Sequence, residues 1–259
     1  MRRVTVQVDG FPMVGRRAPG PGGPPVVCVH GAGISSRAFR PFLAELGGQH
    51  DTWAVDLPGC GASAAPSGRM PLRALADALV QWLPATGPEP VVLLGGSFGC
   101  QIAVDVAVRY PDRVAGLVLV GPTVDPKART APRQLVRWLR NAPYERPSMA
   151  RLNVADYRDA GLRRVRWAFA EALRDRVEDK LPHVHAPTLV VRGSTDRLVP
   201  QEWAEEATAL LPSGRLAVVE GAGHMVPHRR PAELASIVRE FLADRCGSVG
   251  VGGGRGSGA

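Results

Sequence analysis

One serine in this chain has the setting of a nucleophile. Ser97 lies within Gly95–Gly99 (GGSFG), directly after the apolar run Val91–Leu94. Small residues two places before and after the serine allow a sharp strand-to-helix turn that exposes the hydroxyl. The N-terminus of the following helix would favour negative charge that develops nearby. The pattern therefore predicts nucleophilic attack by Ser97 on a carbonyl group.

A serine hydroxyl needs a base to take its proton, and the chain has six histidines. We favour His224, because the loop 221–225 follows the last predicted strand and opens at the edge where Ser97 should lie. His228 is interpreted as a solvated residue at the start of the last helix. The others are assigned no proton-transfer role: His30, His50, His183 and His185.

The base needs an acceptor that fixes its tautomer and stabilises its cation. Asp196 follows the predicted strand Thr188–Val191, and Asp125 follows the predicted strand Val114–Val120. We favour Asp196, with Asp125 as the alternative. The order along the chain is then Ser, Asp, His.

A reaction of this kind also needs donors for the oxyanion. The sequence His30-Gly31-Ala32-Gly33 follows another buried run, and its small residues let a backbone amide approach a substrate. We expect the backbone amides of Ala32 and Phe98 to be these donors, and His30 to support the loop.

Apolar runs that alternate with helical patterns predict the elements that hold these residues. Continuous valine and leucine runs are typical of strands buried on both faces of a parallel sheet. Helices between them imply right-handed crossovers that cover both faces. The predicted strands are Val4–Val8, Met13–Arg17, Val26–Val29, Thr52–Val55, Val91–Leu94, Val114–Val120, Thr188–Val191 and Leu216–Val219. The fold class is therefore α/β.

One long segment interrupts this alternation. Residues 126–181 carry helical patterns without a strand, and we interpret them as a helical lid inserted into a core of residues 1–125 and 182–246. Thr130-Ala131-Pro132 resembles a helix start, and 163–176 is a second helical pattern. The Gly- and Ser-rich tail 247–259 is expected to be disordered.

Composition favours an ordinary globular protein. Of 259 residues, 45% are hydrophobic and 22% charged. The four cysteines form no C-x-x-C pair, and the sequence holds no nucleotide-binding or metal-ligand motif, so no cofactor or metal is expected. Without an apolar segment behind Met1-Arg2-Arg3 or a membrane-spanning run, we expect a cytoplasmic protein with no membrane partner.

The positive charge is concentrated in the predicted lid. The net charge is +8, and between 126 and 180 there are 14 Arg or Lys against 7 Asp or Glu. No basic run has interleaved aromatic residues, which argues against a nucleic-acid partner. Two interpretations stay open. One is a solvated helical face. The other is an anionic or carrier-protein-bound acyl substrate, drawn in by the charge.

These motifs together resemble the α/β-hydrolase superfamily, in the branch with a small helical lid. The resemblance rests on Val29–Gly31, Asp56–Ser63, Gly95–Gly99, Pro187–Asp196 and Gly221–His224. It implies an eight-stranded, mostly parallel sheet with helices on both faces. Serine at position 97, where epoxide hydrolases and dehalogenases have aspartate, argues against both of those activities.

The leading functional prediction is hydrolysis of a small-molecule ester or thioester through an acyl-enzyme. The alternatives are acyl transfer or thioester hydrolysis on a CoA- or carrier-protein-bound group, C–C bond hydrolysis, and a receptor without turnover. Trp138, Trp167 and Phe169 could line the acyl pocket or form the lid's own core. The sequence does not assign the substrate or the oligomeric state.

Overall fold

Eight strands form a single sheet in the computed structural model, which describes residues 1–87 and 90–246. The strands are β1 (Arg2–Val8), β2 (Phe11–Ala18), β3 (Gly22–Val29), β4 (His50–Asp56), β5 (Val91–Gly96), β6 (Val114–Val120), β7 (Thr188–Gly193) and β8 (Gly214–Val219). Their order across the sheet is β1-β2-β4-β3-β5-β6-β7-β8. The predicted tail 247–259 lies outside the described residues.

Ten α-helices connect or follow these strands in the described part of the chain. They are α1 (Arg40–Leu46), α2 (Leu72–Trp82), α3 (Phe98–Arg109), α4 (Ala131–Asn141), α5 (Pro147–Ala160), α6 (Leu162–Arg174), α7 (Val177–Lys180), α8 (Gln201–Ala209), α9 (Val226–Arg229) and α10 (Pro231–Cys246). Short 3-10 turns occupy Ser36–Phe39, Leu83–Thr86, Pro111–Arg113, Pro126–Ala128, Ala142–Tyr144 and Leu181–His183.

The sheet is antiparallel at one edge and parallel elsewhere. Strand β2 pairs antiparallel with β1 and β4, whereas β3 to β8 pair in parallel. The inner strands are buried valine and leucine runs, because helices cover both of their faces. The predicted α/β class, with an eight-stranded and mostly parallel sheet, is confirmed.

Two apolar layers flank the sheet. On one face α2, α3 and α8 bury Trp82, Ile102 and Trp203, and Trp82 meets Trp53 edge-on at 5.5 Å between ring centroids. On the other face α1 and α10 bury Phe42 and Phe241. Helix α3 is buried along almost its whole length, which fixes its N-terminus at the carboxyl edge of β5.

Between β6 and β7 the chain forms only helices and 3-10 turns, from Pro126 to His183. We call residues 126–183 the helical segment. It contains α4 to α7, of which α5 and α7 were not singled out from the sequence. No helix among the described residues has the length and apolarity that a membrane crossing requires.

Candidate active site

The turn at Ser97 is strained and firmly held. Strand β5 ends at Gly96, Ser97 has φ 55° and ψ −120°, and α3 begins at Phe98. A non-glycine residue with positive φ pays about 1–2 kcal/mol of strain. The Ser97 amide donates to Val120 O at 2.9 Å, and the Cys100 amide donates to Ser97 O at 2.9 Å. The serine is thereby fixed at the sheet edge, where its side chain is only partly buried.

Steric contacts explain why small residues flank the serine. A Cβ on Gly99 would lie 2.1 Å from Val29 O, and a Cβ on Gly95 would lie 2.6 Å from the Cys100 backbone. Such distances are far below van der Waals contact, so both positions require glycine. The G-x-S-x-G pattern therefore reflects the close approach of α3 to β3 and the tight turn after β5.

His224 and Asp196 form a buried pair. The distance from His224 Nδ1 to Asp196 Oδ2 is 2.8 Å, and neither side chain is more than 9% exposed. Asp196 Oδ1 accepts the amides of Leu198 at 2.8 Å and Val199 at 3.1 Å. The loop that carries Asp196 therefore fixes the orientation of its carboxylate. Because this carboxylate accepts a hydrogen bond from His224 Nδ1, the proton of the neutral ring lies on Nδ1. This leaves Nε2 as the proton acceptor of the neutral ring.

The environment of His224 favours its protonated form. Burial acts to lower the pKa of His224. The charge and hydrogen bond of Asp196, with the charge of Glu145, outweigh burial and raise the pKa above its ordinary value of 6.5. Gly121 closes the other side of the ring: it has φ +58°, and a Cβ there would lie 2.9 Å from His224 Cε1. The turn after β6 thus leaves no room for a side chain behind the imidazole.

The alternative acid, Asp125, lies in a different network. Its carboxylate accepts the Lys127 amide at 2.8 Å and the Arg137 guanidinium at 2.6 Å, and it makes no hydrogen bond to His224. Asp125 therefore ties the start of the helical segment to α4. Of the two aspartates, Asp196 is the one that the fold brings to His224.

Two other histidines, His30 and His228, make structural contacts. His30 Nε2 accepts the Leu57 amide at 3.0 Å, its Nδ1 lies 2.9 Å from Gly31 O, and burial lowers its pKa. The interpretation of His228 as a solvated residue at the start of the last helix is wrong, because His228 lies on the short helix α9. It is half-buried there, with Nε2 at 3.1 Å from Ser148 Oγ of the helical segment.

The Ser97 hydroxyl lies among groups that could act on a carbonyl. Its partner is Thr123 Oγ1 at 3.4 Å, a residue not singled out from the sequence although it follows β6 at the same edge. No hydrogen bond joins Ser97 to His224 among the described residues, and such bonds are often long before substrate binds. The backbone amides of Ala32 and Phe98 donate to no backbone carbonyl among the described residues.

Two cavities meet at Ser97. The first, here the apolar cavity, has a volume of about 330 Å³, and Val124, Leu135 and Leu173 are among its lining residues. The second cavity has a volume of about 520 Å³ and includes Glu145, Asn153 and His224. Both are lined by Ser97, Ala32, Trp138, Tyr157, Phe169 and Leu198.

Of the three aromatic residues predicted to line the acyl pocket, Trp138 and Phe169 line both cavities at Ser97, and Trp167 lines neither. Trp167 lines a separate cavity of about 50 Å³ with Cys60, and Arg163 stacks on its ring. The physical reason is helix geometry, since residues two apart on α6 point to different sides. Phe169 faces Ser97, whereas Trp167 faces the loop after β4.

Two polar residues of the helical segment hold the loops that carry Asp196 and His224. Asn141 Oδ1 accepts the Arg197 amide at 3.1 Å. Glu145 Oε1 accepts the Met225 amide at 3.1 Å and the Asn141 side-chain amide at 2.9 Å. Neither residue belongs to a sequence motif, and only the packing of this segment on the two loops reveals them. In the described part of the chain, no group of three metal-ligating side chains is assembled.

The sheet order, the strained serine after an inner strand and the crossover helices define a protein of the α/β-hydrolase class. The chain belongs to the alpha/beta hydrolase family, whose model matches residues 26–237. The predicted superfamily is confirmed.

Individual relatives within this family differ in substrate. The chain is similar to carboxylesterase YbfK of Bacillus subtilis (strain 168), at 26% identity over 87% of this chain and 81% of that protein. It is also similar to the pimeloyl-[acyl-carrier protein] methyl ester esterase of Aeromonas hydrophila, at 27% identity over 85% of this chain and 96% of the relative. A thermophilic esterase from Thermogutta terrifontis matches in structure with a TM-score of 0.74 and 25% identity, covering 95% and 99% of the two chains. The chain is thus a member of a hydrolase family, and these similarities do not identify its substrate.

Proposed function

We propose that this chain is a serine-dependent hydrolase of a small-molecule ester or thioester. The observation that carries the proposal is the buried His224–Asp196 pair, which leaves His224 Nε2 as a base on the cavity that Ser97 also lines. The esterases among the relatives support the same class of reaction. The helical segment, of which residues 126–181 were predicted as a lid insertion, serves as a lid over this site.

The reaction follows from the positions of these groups. Ser97 Oγ attacks the carbonyl carbon while His224 Nε2 takes the hydroxyl proton. The oxyanion receives hydrogen bonds from the amides of Ala32 and Phe98. Collapse of the tetrahedral intermediate breaks the bond to the leaving alcohol or thiol, which takes the proton from His224. Water then attacks the acyl-enzyme by the same path in reverse, releasing the acid and free Ser97.

The apolar cavity is suited to the acyl part of the substrate. Leu135, Trp138, Phe169 and Leu173 present hydrocarbon and aromatic surface there, and the Ser97 hydroxyl lies on its wall. Burying an acyl chain against such surface gains about 0.8 kcal/mol per methylene. A series of p-nitrophenyl esters should therefore show kcat/KM rising with acyl length until the cavity is full.

Labelling with a fluorophosphonate tests the proposal directly. The intact mass of the wild type should increase by one phosphonyl group, whereas Ser97→Ala should stay unlabelled and His224→Ala should label far more slowly. The matched control is Ser148→Ala, which removes an exposed serine that contacts His228 and should label as the wild type does. Labelling of Ser97→Ala at the wild-type rate would refute the role of Ser97.

A second candidate is an acyl group carried on CoA or on an acyl-carrier protein. Exposed arginines of the helical segment form no ion pair with a described carboxylate: Arg133, Arg140, Arg146, Arg151, Arg158, Arg163 and Arg166. Such a surface would attract a phosphorylated or acidic carrier. The similarity to an esterase named for a carrier-bound substrate points the same way.

Salt dependence separates the two candidates. If the arginines guide an anionic donor, kcat/KM for butyryl-CoA should fall steeply with added salt, while that for a neutral butyrate ester should change little. Arg140→Gln and Arg151→Gln should weaken the salt dependence, and Arg3→Gln, on the remote edge strand, should not. Equal salt responses of the two donors would exclude the carrier candidate.

A further inference from the structure

The second cavity contains two acceptor atoms without a partner. Glu145 Oε2 and Asn153 Oδ1 are both buried from solvent and make no hydrogen bond within the described residues. Both residues line this cavity, together with Ser97 and His224. Buried polar atoms are normally paired, so each of these acceptors can take a hydrogen bond from a donor that enters the cavity, either water or a group of the substrate.

The orientation of the Glu145 carboxylate is fixed. Its Oε1 accepts two hydrogen bonds, from the Asn141 side chain at 2.9 Å and the Met225 amide at 3.1 Å. A Cβ on Gly223 would lie 2.6 Å from the same oxygen, which shows how closely the loop packs. Because Oε1 is committed, Oε2 is the atom left to accept a hydrogen bond from a ligand.

The two cavities differ in what they offer a substrate. The apolar cavity has no unpartnered buried acceptor among the described residues and suits an acyl chain. The second cavity begins at the same serine and has acceptors for a polar group. A substrate whose carbonyl lies at Ser97 would place its acyl part in one and its leaving group in the other.

We propose that the second cavity is the leaving-group subsite and selects alcohols that carry further hydroxyl groups, which donate to Glu145 Oε2 and Asn153 Oδ1. The inference rests on the proposed ester hydrolysis and names the class of substrate. An ionised carboxylate only accepts hydrogen bonds, so a ligand must bring the donor. Arg146 lines the same cavity and is exposed, and its positive charge favours neutral hydroxyl groups over ammonium groups.

Binding to a form that cannot react tests the subsite without turnover. Glyceryl 1-monobutyrate and propyl butyrate share the acyl chain and the three-carbon alcohol, and they differ in two hydroxyl groups. Trp138 lines both cavities, so the Kd of each ester can be followed by tryptophan fluorescence of Ser97→Ala. A hydrogen bond to a charged acceptor should make the glyceryl ester bind at least about tenfold more tightly.

Substitutions at the two acceptors should remove this preference. Glu145→Gln keeps an oxygen for the Met225 amide and places a donor where Oε2 was, so the preference should fall to about threefold or less. Asn153→Leu should reduce it independently, which keeps the test valid if one variant does not fold. The matched control is Glu206→Gln on α8, which pairs with Lys127 away from the cavity and should keep the full preference.

The outcomes separate this inference from the proposed function. Equal Kd values for the two esters on Ser97→Ala, or a preference that survives both acceptor substitutions, would overturn the subsite. Wild-type hydrolysis of both esters at equal kcat/KM would also overturn the subsite but leave the esterase proposal standing. Tighter binding of the glyceryl ester without any hydrolysis by the wild type would refute the esterase proposal and the leaving-group role, and would leave only a cavity that binds polyhydroxy esters.

Discussion

Replacing Asp196 by asparagine should nearly abolish turnover while leaving the fold in place. Asp196 Oδ1 accepts two amides, so the oxygen of the asparagine should stay with those amides. The opposite orientation would leave two buried amide donors unpaired, each at about 1–3 kcal/mol. The asparagine NH2 group then faces His224 Nδ1 and donates to it, which moves the ring proton to Nε2.

A His224 ring with its proton on Nε2 cannot accept the proton of Ser97. In a Ser-His-Asp triad the same substitution lowers kcat about 10⁴-fold. That factor corresponds to about 5.4 kcal/mol of transition-state stabilisation. The assay is kcat for p-nitrophenyl butyrate at neutral pH, with circular dichroism and urea unfolding to confirm that the variant folds.

The rival acid provides the matched control. Asp125→Asn breaks the contact with Arg137, so its unfolding free energy should fall by about 1–3 kcal/mol. Its kcat should stay close to the wild-type value, because Asp125 makes no contact with His224. If Asp125→Asn lost turnover and Asp196→Asn kept it within tenfold, the assignment of the acid would be wrong.

Three further outcomes are expected around the same site. Gly121→Ala should lower stability by about 1–2 kcal/mol through its positive φ, and kcat by about tenfold or more because the new methyl group displaces the His224 ring; unchanged kcat would contradict the close contact. Glu145→Gln should move the acid limb of the kcat/KM profile to lower pH, since the carboxylate charge helps to raise the pKa of His224; a limb that stays in place would show that this charge is not felt. His30 has a pKa lowered by burial, so the unfolded chain takes up a proton that the native state does not once pH falls below 6.5. Unfolding free energy should therefore decrease as pH falls through that range, and less so in His30→Gln, which urea titrations at several pH values would measure.

The parts of the fold that could be predicted from the sequence are those with a local physical signature. Strand β6 was predicted with the correct bounds, because a strand buried on both faces must be apolar at every position. The turn at Ser97 was predictable since glycine is sterically required at Gly95 and Gly99. By contrast, helices α5 and α8 are partly exposed and rich in polar residues, so their patterns were not recognised.

Features that depend on tertiary packing could not be predicted. The sequence favoured Asp196 but left Asp125 open, because both follow strands at the same sheet edge, and it is the 2.8 Å contact with His224 that separates them. Trp167 was assigned to the pocket from its aromatic character, without the helical phase that directs it to the other side of α6. Glu145 lies between the 3-10 turn Ala142–Tyr144 and α5, with no motif around it, and its role depends on where the helical segment packs.

Glu145 links recognition of the leaving group to the basicity of His224. The same carboxylate binds the Met225 amide through Oε1, offers Oε2 to the second cavity and adds to the effect of Asp196 in raising the pKa of His224. A hydroxyl group that donates to Oε2 would offset part of that negative charge, so the pKa of His224 should be lower in the complex than in the free enzyme. The profile of kcat reports the complex, and that of kcat/KM reports the free enzyme. For a glyceryl ester the acid limb of the kcat profile should therefore lie at lower pH than that of the kcat/KM profile. The difference between the two limbs should be larger for a glyceryl ester than for a propyl ester.

Asn153→Leu leaves the charge in place, so it should weaken the preference for hydroxyl groups without moving the kcat/KM limb, whereas Glu145→Gln should change both. A variant of Glu145 that changed only one of the two would show that recognition and basicity are independent.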